Sequence, residues 1–147
     1  MELKTKPGVE AILFKRVGAS RYFLVLHRVL NWRGWESAKG GVDEGETPEQ
    51  AVVREIAEET GLLQVKIVGR LPEKKEWKTK DTHYLYDVFL VEADTDEHVR
   101  LGAGNHEVTE HDDFKWLTAT QALETLTYDN SKKTFKQALE EMKKQGL

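Results

Sequence analysis

The sequence predicts an α/β or α+β fold, with residues 1–147 forming one domain. Three observations carry that expectation. Apolar, β-branched runs of strand length are interspersed with capped helical segments. The length of 147 residues suits one domain with a real core. Hydrophobic residues make up 39% and charged residues 33%, the balance of a soluble globular chain.

The elements follow in chain order. Residues 8–17, GVEAILFKRV, and 21–30, RYFLVLHRVL, read as strands joined through GAS as a hairpin. Residues 31–46, NWRGWESAKGGVDEGE, read as a long, Gly-rich working loop. A helix then starts, with Thr47 as cap, Pro48 at the first helical position and Gln50 completing a capping box. Gly61 is placed to end it in a left-handed stop. Residues 63–71, LQVKIVGRL, and 82–93, THYLYDVFLVEA, read as strands joined by the charged segment 72–81. Residues 99–113 read as a polar loop and 114–117, FKWL, as a short strand. Thr118 and Gln121 form a second capping box on a short helix. The terminal helix, 131–146, carries Phe135, Leu139 and Met142 on one face.

Composition narrows the function. The chain has no Cys, which excludes disulfides and thiolate metal sites and fits a cytoplasmic location. No apolar run approaches a membrane span, and the first residues lack the apolar core of a signal peptide. The formal charge of −4 disfavours a duplex nucleic-acid partner. A polyphosphate ligand would need local cations or metal ions to overcome that field. The sequence does not specify an oligomeric state.

The first helix raises the central question. On a wheel of roughly 100° per residue, Glu55, Glu58 and Glu59 fall within an arc of about 100°. Val53, Ile56 and Ala57 fall on the opposite side, so one face is expected to pack on a sheet. Three like charges at short range resist ionisation unless something positive sits between them. A hard divalent cation such as Mg²⁺, which takes oxygen ligands, answers that need. A solvated acidic face is the alternative reading of the helix by itself. Arg54, one turn before Glu58, can pair with it.

Context extends the pattern. Gly40, five residues, Glu46, seven residues, Arg54-Glu55-Ile56, one residue, Glu58-Glu59, one residue and Gly61-Leu62 follow in order. This segment, 40–62, resembles the signature of the Nudix hydrolases at every specified position. The resemblance implies an α/β/α sandwich around a central mixed β-sheet. It implies Glu55, Glu58 and Glu59 as ligands of Mg²⁺ or Mn²⁺, with the carbonyl near Gly40 as a further ligand. It implies Glu46 and Arg54 as the pair that ties loop to helix, where a guanidinium fork fixes orientation better than Lys. The family cleaves a nucleoside diphosphate linked to another group, with water as nucleophile and a divalent metal to acidify that water. Because hard cations prefer oxygen, the His residues are expected to pack, bond or face solvent.

The flanks point to a substrate class. WESAKGGVDEGE resembles the lead-in of dinucleoside polyphosphate hydrolases and RNA 5′-pyrophosphohydrolases, with Ala38 in place of the usual Pro and Lys39 kept to contact a phosphate. TEHDDFKWL resembles a segment of diadenosine tetraphosphate hydrolases. That likeness makes Glu110 the loop glutamate that joins the metal site or serves as general base, with Glu107 as its competitor. Base binding calls for aromatic faces. Tyr84 and Tyr86 share one face of a strand, with Phe89 on the other. Tyr128, before the last helix, resembles the position of a second clamping aromatic. The expected activity is asymmetrical cleavage of diadenosine tetraphosphate to ATP and AMP. RNA 5′ ends, nucleoside triphosphates and ADP-sugars are alternative substrates, and a non-catalytic nucleotide sensor is the alternative of another class.

Overall fold

The computed structural model describes residues 3–104 and 108–147. Among them, eight strands make one mixed sheet, and three helices lie on its two faces. The strand β1 (Lys4–Val17) is central. It runs parallel to β7 (Thr82–Ala93) and antiparallel to both β2 (Ser20–Arg28) and β4 (Ala38–Gly41). Beyond β2 lie β3 (Gly34–Glu36) and β8 (His111–Leu117); β5 (Val65–Arg70) and β6 (Lys75–Lys78) pair antiparallel with β7.

Strand alternation divides the core in two. Val9, Ala11 and Leu13 of β1 face one side with Phe89 and Val91 of β7. There they meet Ala51, Val52 and Ile56 of α1 (Pro48–Thr60). Ile12 and Phe14 face the other side, against Ala122 of α2 (Ala119–Thr125) and Phe135, Ala138 and Met142 of α3 (Asp129–Lys144). The result is an α/β/α sandwich with a mixed central sheet.

The helix boundaries follow local chemistry. The Thr47 hydroxyl accepts from the Gln50 amide and the Gln50 side chain accepts from the Thr47 amide, closing the capping box. Thr118 and Gln121 repeat the device on α2. Gly61 takes φ +73° and donates its N–H to the Ala57 carbonyl.

Several expectations change. The loop expected at 31–46 contains β3 and β4, which are too short and Gly-rich to announce themselves as strands. The charged link 72–81 contains β6, whose pairing with β7 is a long-range choice that composition does not reveal. The strands β1 and β8 begin earlier than 8 and 114, as far as their partners extend. On α1, Val53 is exposed, whereas Glu59 and Thr60 are buried beside Ile56. The core-facing stripe runs Val52, Ile56, Glu59 and Thr60, one position round the wheel from the expected one. No helix among the described residues is long and apolar enough to cross a membrane.

A Cβ at Gly61 would lie 3.2 Å from the Arg100 carbonyl in a conformation L residues avoid. Gly61→Ala is expected to cost on the order of 1–2 kcal/mol. That lowers the melting temperature by roughly 3–6 °C in calorimetry. An unchanged melting temperature would show that α1 ends without this stop.

Candidate active site

Helix α1 fans its carboxylates from core to solvent. The Glu59 side chain is 5% exposed, that of Glu55 15% and that of Glu58 45%. They line a pocket of about 230 Å³ together with Leu101, Glu110 and His111. The Lys39 backbone N–H on β4 donates to Glu59 Oε1 at 2.9 Å. Next to it, Gly40 leaves room for Glu55, since a Cβ there would sit 2.1 Å from the Glu55 carboxyl carbon.

Arg54 holds the arrangement. Its Nε and Nη2 bond both Glu46 oxygens at 2.8 and 3.0 Å, and Nη2 also donates to the Gly41 carbonyl at 2.9 Å. Its Nη1 donates to Glu55 at 2.9 Å and Glu58 at 3.2 Å. Hydrogen bonds donated by Arg54 and by the Asp43 backbone N–H hold the Glu46 carboxyl below its ordinary value. The chain after β7 closes over the end of α1. Amides of Arg100, Gly102 and Gly104 donate to the carbonyls of Thr60, Glu59 and Glu58, which have no partner within the helix.

Electrostatics mark the pocket as short of positive charge. Burial lifts the Glu55 carboxyl to about 7 against the pull of Arg54, and Glu58 and Glu110 push the same way as burial. Burial, then Glu110, Glu55 and Glu36, push Glu59 well above the ordinary carboxylate range.

A second cavity, of about 610 Å³, opens beside α3. Trp32, Trp77 and Tyr128 line it together with Lys39 and Lys75. Trp32 and Tyr128 meet edge to face at 4.8 Å. The Lys39 ammonium lies 5.2 Å from the Trp77 ring and 3.2 Å from Glu36 Oε1.

Comparison with known proteins places this geometry. A family model for the NUDIX domain matches residues 4–139. The chain belongs to the NUDIX domain family. It is 30% identical to an RNA pyrophosphohydrolase of Sulfurovum sp. (strain NBC37-1), over 97% of this chain and 95% of the relative. Its fold is similar to that of a C. elegans Ap4A hydrolase in a binary complex, with TM-score 0.79 and 20% identity over 93% of this chain and 97% of the other. It is similar also to the MutT protein of Methanosarcina mazei Go1, with TM-score 0.75 and 21% identity over 98% and 99%.

The Nudix box residues fit a divalent cation. Glu59 Oε2 is buried and has no hydrogen-bond partner among the described residues, although His111 Nδ1 lies 3.4 Å away. A buried, unpartnered carboxylate oxygen among other carboxylates is a donor set for a hard ion. Glu36, Glu110 and His111 also converge, with ligand atoms within 4.8 Å of one another. There a cation is already present: Arg28 Nη1 lies 3.1 Å from Glu36 and 2.8 Å from Glu110. His111 Nε2 bonds Glu36 at 2.8 Å. Burial would raise the Glu36 carboxyl, but His111, Lys39 and Arg28 outweigh it and hold it low. The trio is therefore an ion-pair network behind the Nudix helix.

The structure brings Glu55, Glu58, Glu59 and Glu110 to one pocket, with Gly40 packed on Glu55, Arg54 bonded to Glu46, Glu55 and Glu58, and the Lys39 amide bonded to Glu59. It does not bring Tyr84 and Tyr86 to the wall of the aromatic cavity. Tyr84 stacks on Trp77 at 4.9 Å and 9°, and Tyr86 is buried with its edge toward Trp77 at 4.7 Å. Burial, then Tyr84 and Glu55, push the Tyr86 hydroxyl up to about 12. Trp77 is what the cavity meets. Tyr128 is half exposed and lines it. Glu107 lies outside the described residues. Sequence reasoning missed Arg28, Glu36, Trp32 and Trp77. Glu36 left one trace, as the sole carboxylate in residues 31–41.

A carboxyl whose folded pKa exceeds its unfolded value near 4.5 binds more protons when folded. The stability from Glu55 is therefore full below that value and declines as pH rises through about 7, and the raised Glu59 carboxyl acts in the same direction. Glu36 and Glu46, shifted down, lose their contribution only on the acid side of the ordinary carboxylate range. With EDTA, the protein is expected to lose on the order of 2 kcal/mol between about pH 5.5 and 8. The melting temperature then falls by roughly 5 °C, and millimolar Mg²⁺ restores it. A melting temperature that rises over this window would contradict the crowded-carboxylate account.

Proposed function

We propose that this Nudix hydrolase cleaves a phosphoanhydride in a bis(5′-nucleosyl) tetraphosphate, converting diadenosine tetraphosphate to ATP and AMP, with Mg²⁺ or Mn²⁺ as cofactor. The observation that carries the reading is the position of Lys39. Its backbone N–H bonds a carboxylate of the acid pocket while its ammonium reaches the aromatic cavity. One residue thus joins a seat for cations to a seat for a base, the distance a phosphate chain must cross.

In this reading Glu55, Glu58, Glu59 and the Gly40 carbonyl hold the cation. When bound, the metal neutralises phosphate charge and acidifies a water. Glu110, positioned by Arg28, accepts the proton of the attacking water. Arg54 acts as a positioning residue for Glu55 and Glu58. Lys39 steadies the phosphate chain, and Trp32, Trp77 and Tyr128 hold the base. Stacking of that kind is worth about 1–3 kcal/mol per base. Tyr84 and Tyr86 support Trp77 from behind. The family match over 4–139 and the one continuous sheet support residues 1–147 as a single domain.

A second reading, removal of pyrophosphate from RNA 5′ ends, is favoured by the name of the Sulfurovum relative. Among the described residues lining the cavity the cations are Lys39 and Lys75, and Lys75 is tied to Glu10. A polymer backbone asks for a run of cations along its path, so the compact ligand is favoured.

Diadenosine tetraphosphate is expected to give ATP and AMP, with kcat/KM at least about 10-fold above that on triphosphorylated RNA. The reverse order would establish the RNA reading. Glu58→Gln should lower turnover of either substrate by at least about 100-fold while the melting temperature holds. Full activity of that variant would remove α1 from the mechanism. Hydrolysis in oxygen-18 water, read by mass spectrometry, should label one product and so identify the phosphorus attacked.

A further inference from the structure

One buried ion pair takes no part in the chemistry described above. Lys75 on β6 and Glu10 on β1 meet at 2.8 Å, with side chains only 5% and 2% exposed. Burying both charges costs several kcal/mol per ion, and apolar residues of the same volume are often as stable. Core stability alone therefore gives no reason for this pair. Its location does. Lys75 lines the aromatic cavity, with its ammonium 5.7 Å from the Trp77 ring and 3.4 Å from the Ser131 hydroxyl on α3.

An ammonium carries three N–H donors. Among the described residues, Glu10 takes one and Ser131 a second, which leaves the third for whatever enters the cavity. Glu10 also cancels the charge. The pair as a whole is neutral and Lys75 is held buried, so from the cavity it is a fixed donor that suits a neutral acceptor better than a phosphate. Lys39, also paired with a glutamate but more exposed and bonded through its amide to the acid pocket, is the cation placed for phosphate. The neutral acceptors of a nucleoside seated among aromatic rings are the ring nitrogens and carbonyl oxygens of its base.

We propose that Lys75, held in place by Glu10, donates a hydrogen bond to an acceptor on the edge of the nucleobase, so that the pair selects among bases in the aromatic cavity. The proposal rests on that cavity being the nucleoside subsite of the function proposed above. A site built to hydrogen-bond one group rejects a ligand lacking it, because the buried donor is then left unpaired.

The test is binding rather than turnover, so its failure is distinguishable from failure of the proposed reaction. AMP, GMP, CMP and UMP are titrated into the full chain, and quenching of tryptophan fluorescence reports occupancy beside Trp32 and Trp77. The wild type is expected to prefer one base by about 10-fold in Kd, the scale of one well-made hydrogen bond. Lys75→Met should weaken the preferred base by about that factor and leave the others nearly unchanged. Because Lys75→Met leaves Glu10 buried and unpaired, Glu10→Gln combined with Lys75→Met removes both charges and serves as the variant that folds. It should show the same collapse of the spread at an unaltered melting temperature. Equal weakening of all four nucleotides would assign Lys75 to phosphate and overturn the proposal. An unchanged spread in the double variant would make the pair purely structural. No quenching by any nucleotide would remove the cavity as the subsite, whatever the dinucleotide assay shows.

Discussion

Arg54 has five N–H donors, and the structure uses all five. Two go to Glu46, one to the Gly41 carbonyl, one to Glu55 and one to Glu58. This single planar group fastens the loop before α1 to the helix and sets the bearing of two carboxylates. Lysine has three donors and no plane, so it could not make these five bonds. The arrangement is not fully balanced. Arg54 supplies one positive charge where Glu46, Glu55 and Glu58 converge, and Glu59 lies out of its reach. Burial lifts Glu55 and Glu59 above their ordinary range, and the neighbouring carboxylates that this one charge leaves unbalanced push them further the same way. That deficit makes the pocket a seat for added positive charge.

The sheet explains why two different chemistries sit so close without mixing. The strand β4 pairs with β1, placing Lys39 opposite Glu10 and Gly40 opposite Val9. Val9 faces α1 and the acids, whereas Glu10 faces the side of α3 and the aromatic cavity. The alternation of one short strand therefore hands adjacent residues to opposite faces. Gly40 has to lack a side chain because Glu55 occupies that space. Lys39 can carry a long one because its face opens to the cavity. A register slip of one residue would exchange these roles and destroy both sites.

What the sequence discloses and what it conceals divide along contact range. Thr47, Gln50 and Gly61 act on neighbours within a few residues, so the bounds of α1 were legible, as were those of α2 through Thr118 and Gln121. The signature positions from Gly40 to Leu62 share one loop and one helix, so their convergence was legible too. Concealed were the features assembled from distant segments. Trp77 shares a cavity with Trp32 and Tyr128 only because β6 adds to the edge of β7. Tyr84 and Tyr86 carry the right chemistry for a base. Their side of β7 is covered by Trp77, which sits on a strand that composition disguises as a charged link. The burial of Glu59 was missed for a smaller reason. A helical wheel gives angles but not the direction of the sheet, and the core-facing stripe includes that carboxylate.

The buried side of the pocket then takes on a definite role. Glu59 is fixed from one direction by the Lys39 amide and approached from another by His111, itself bonded to Glu36. Glu36 is bonded in turn by Arg28, which also holds Glu110. Through this chain the deepest carboxylate of α1 and the loop carboxylate of Glu110 share one set of partners. Displacing Glu110 would leave Arg28 partly unpaired, and rotating Glu59 would cost the Lys39 bond. Each acid is therefore costly to move alone. The rigidity comes from β2, β3 and β8 rather than from α1. The geometry of the acid pocket is thus a property of the far edge of the sheet as much as of the Nudix helix itself.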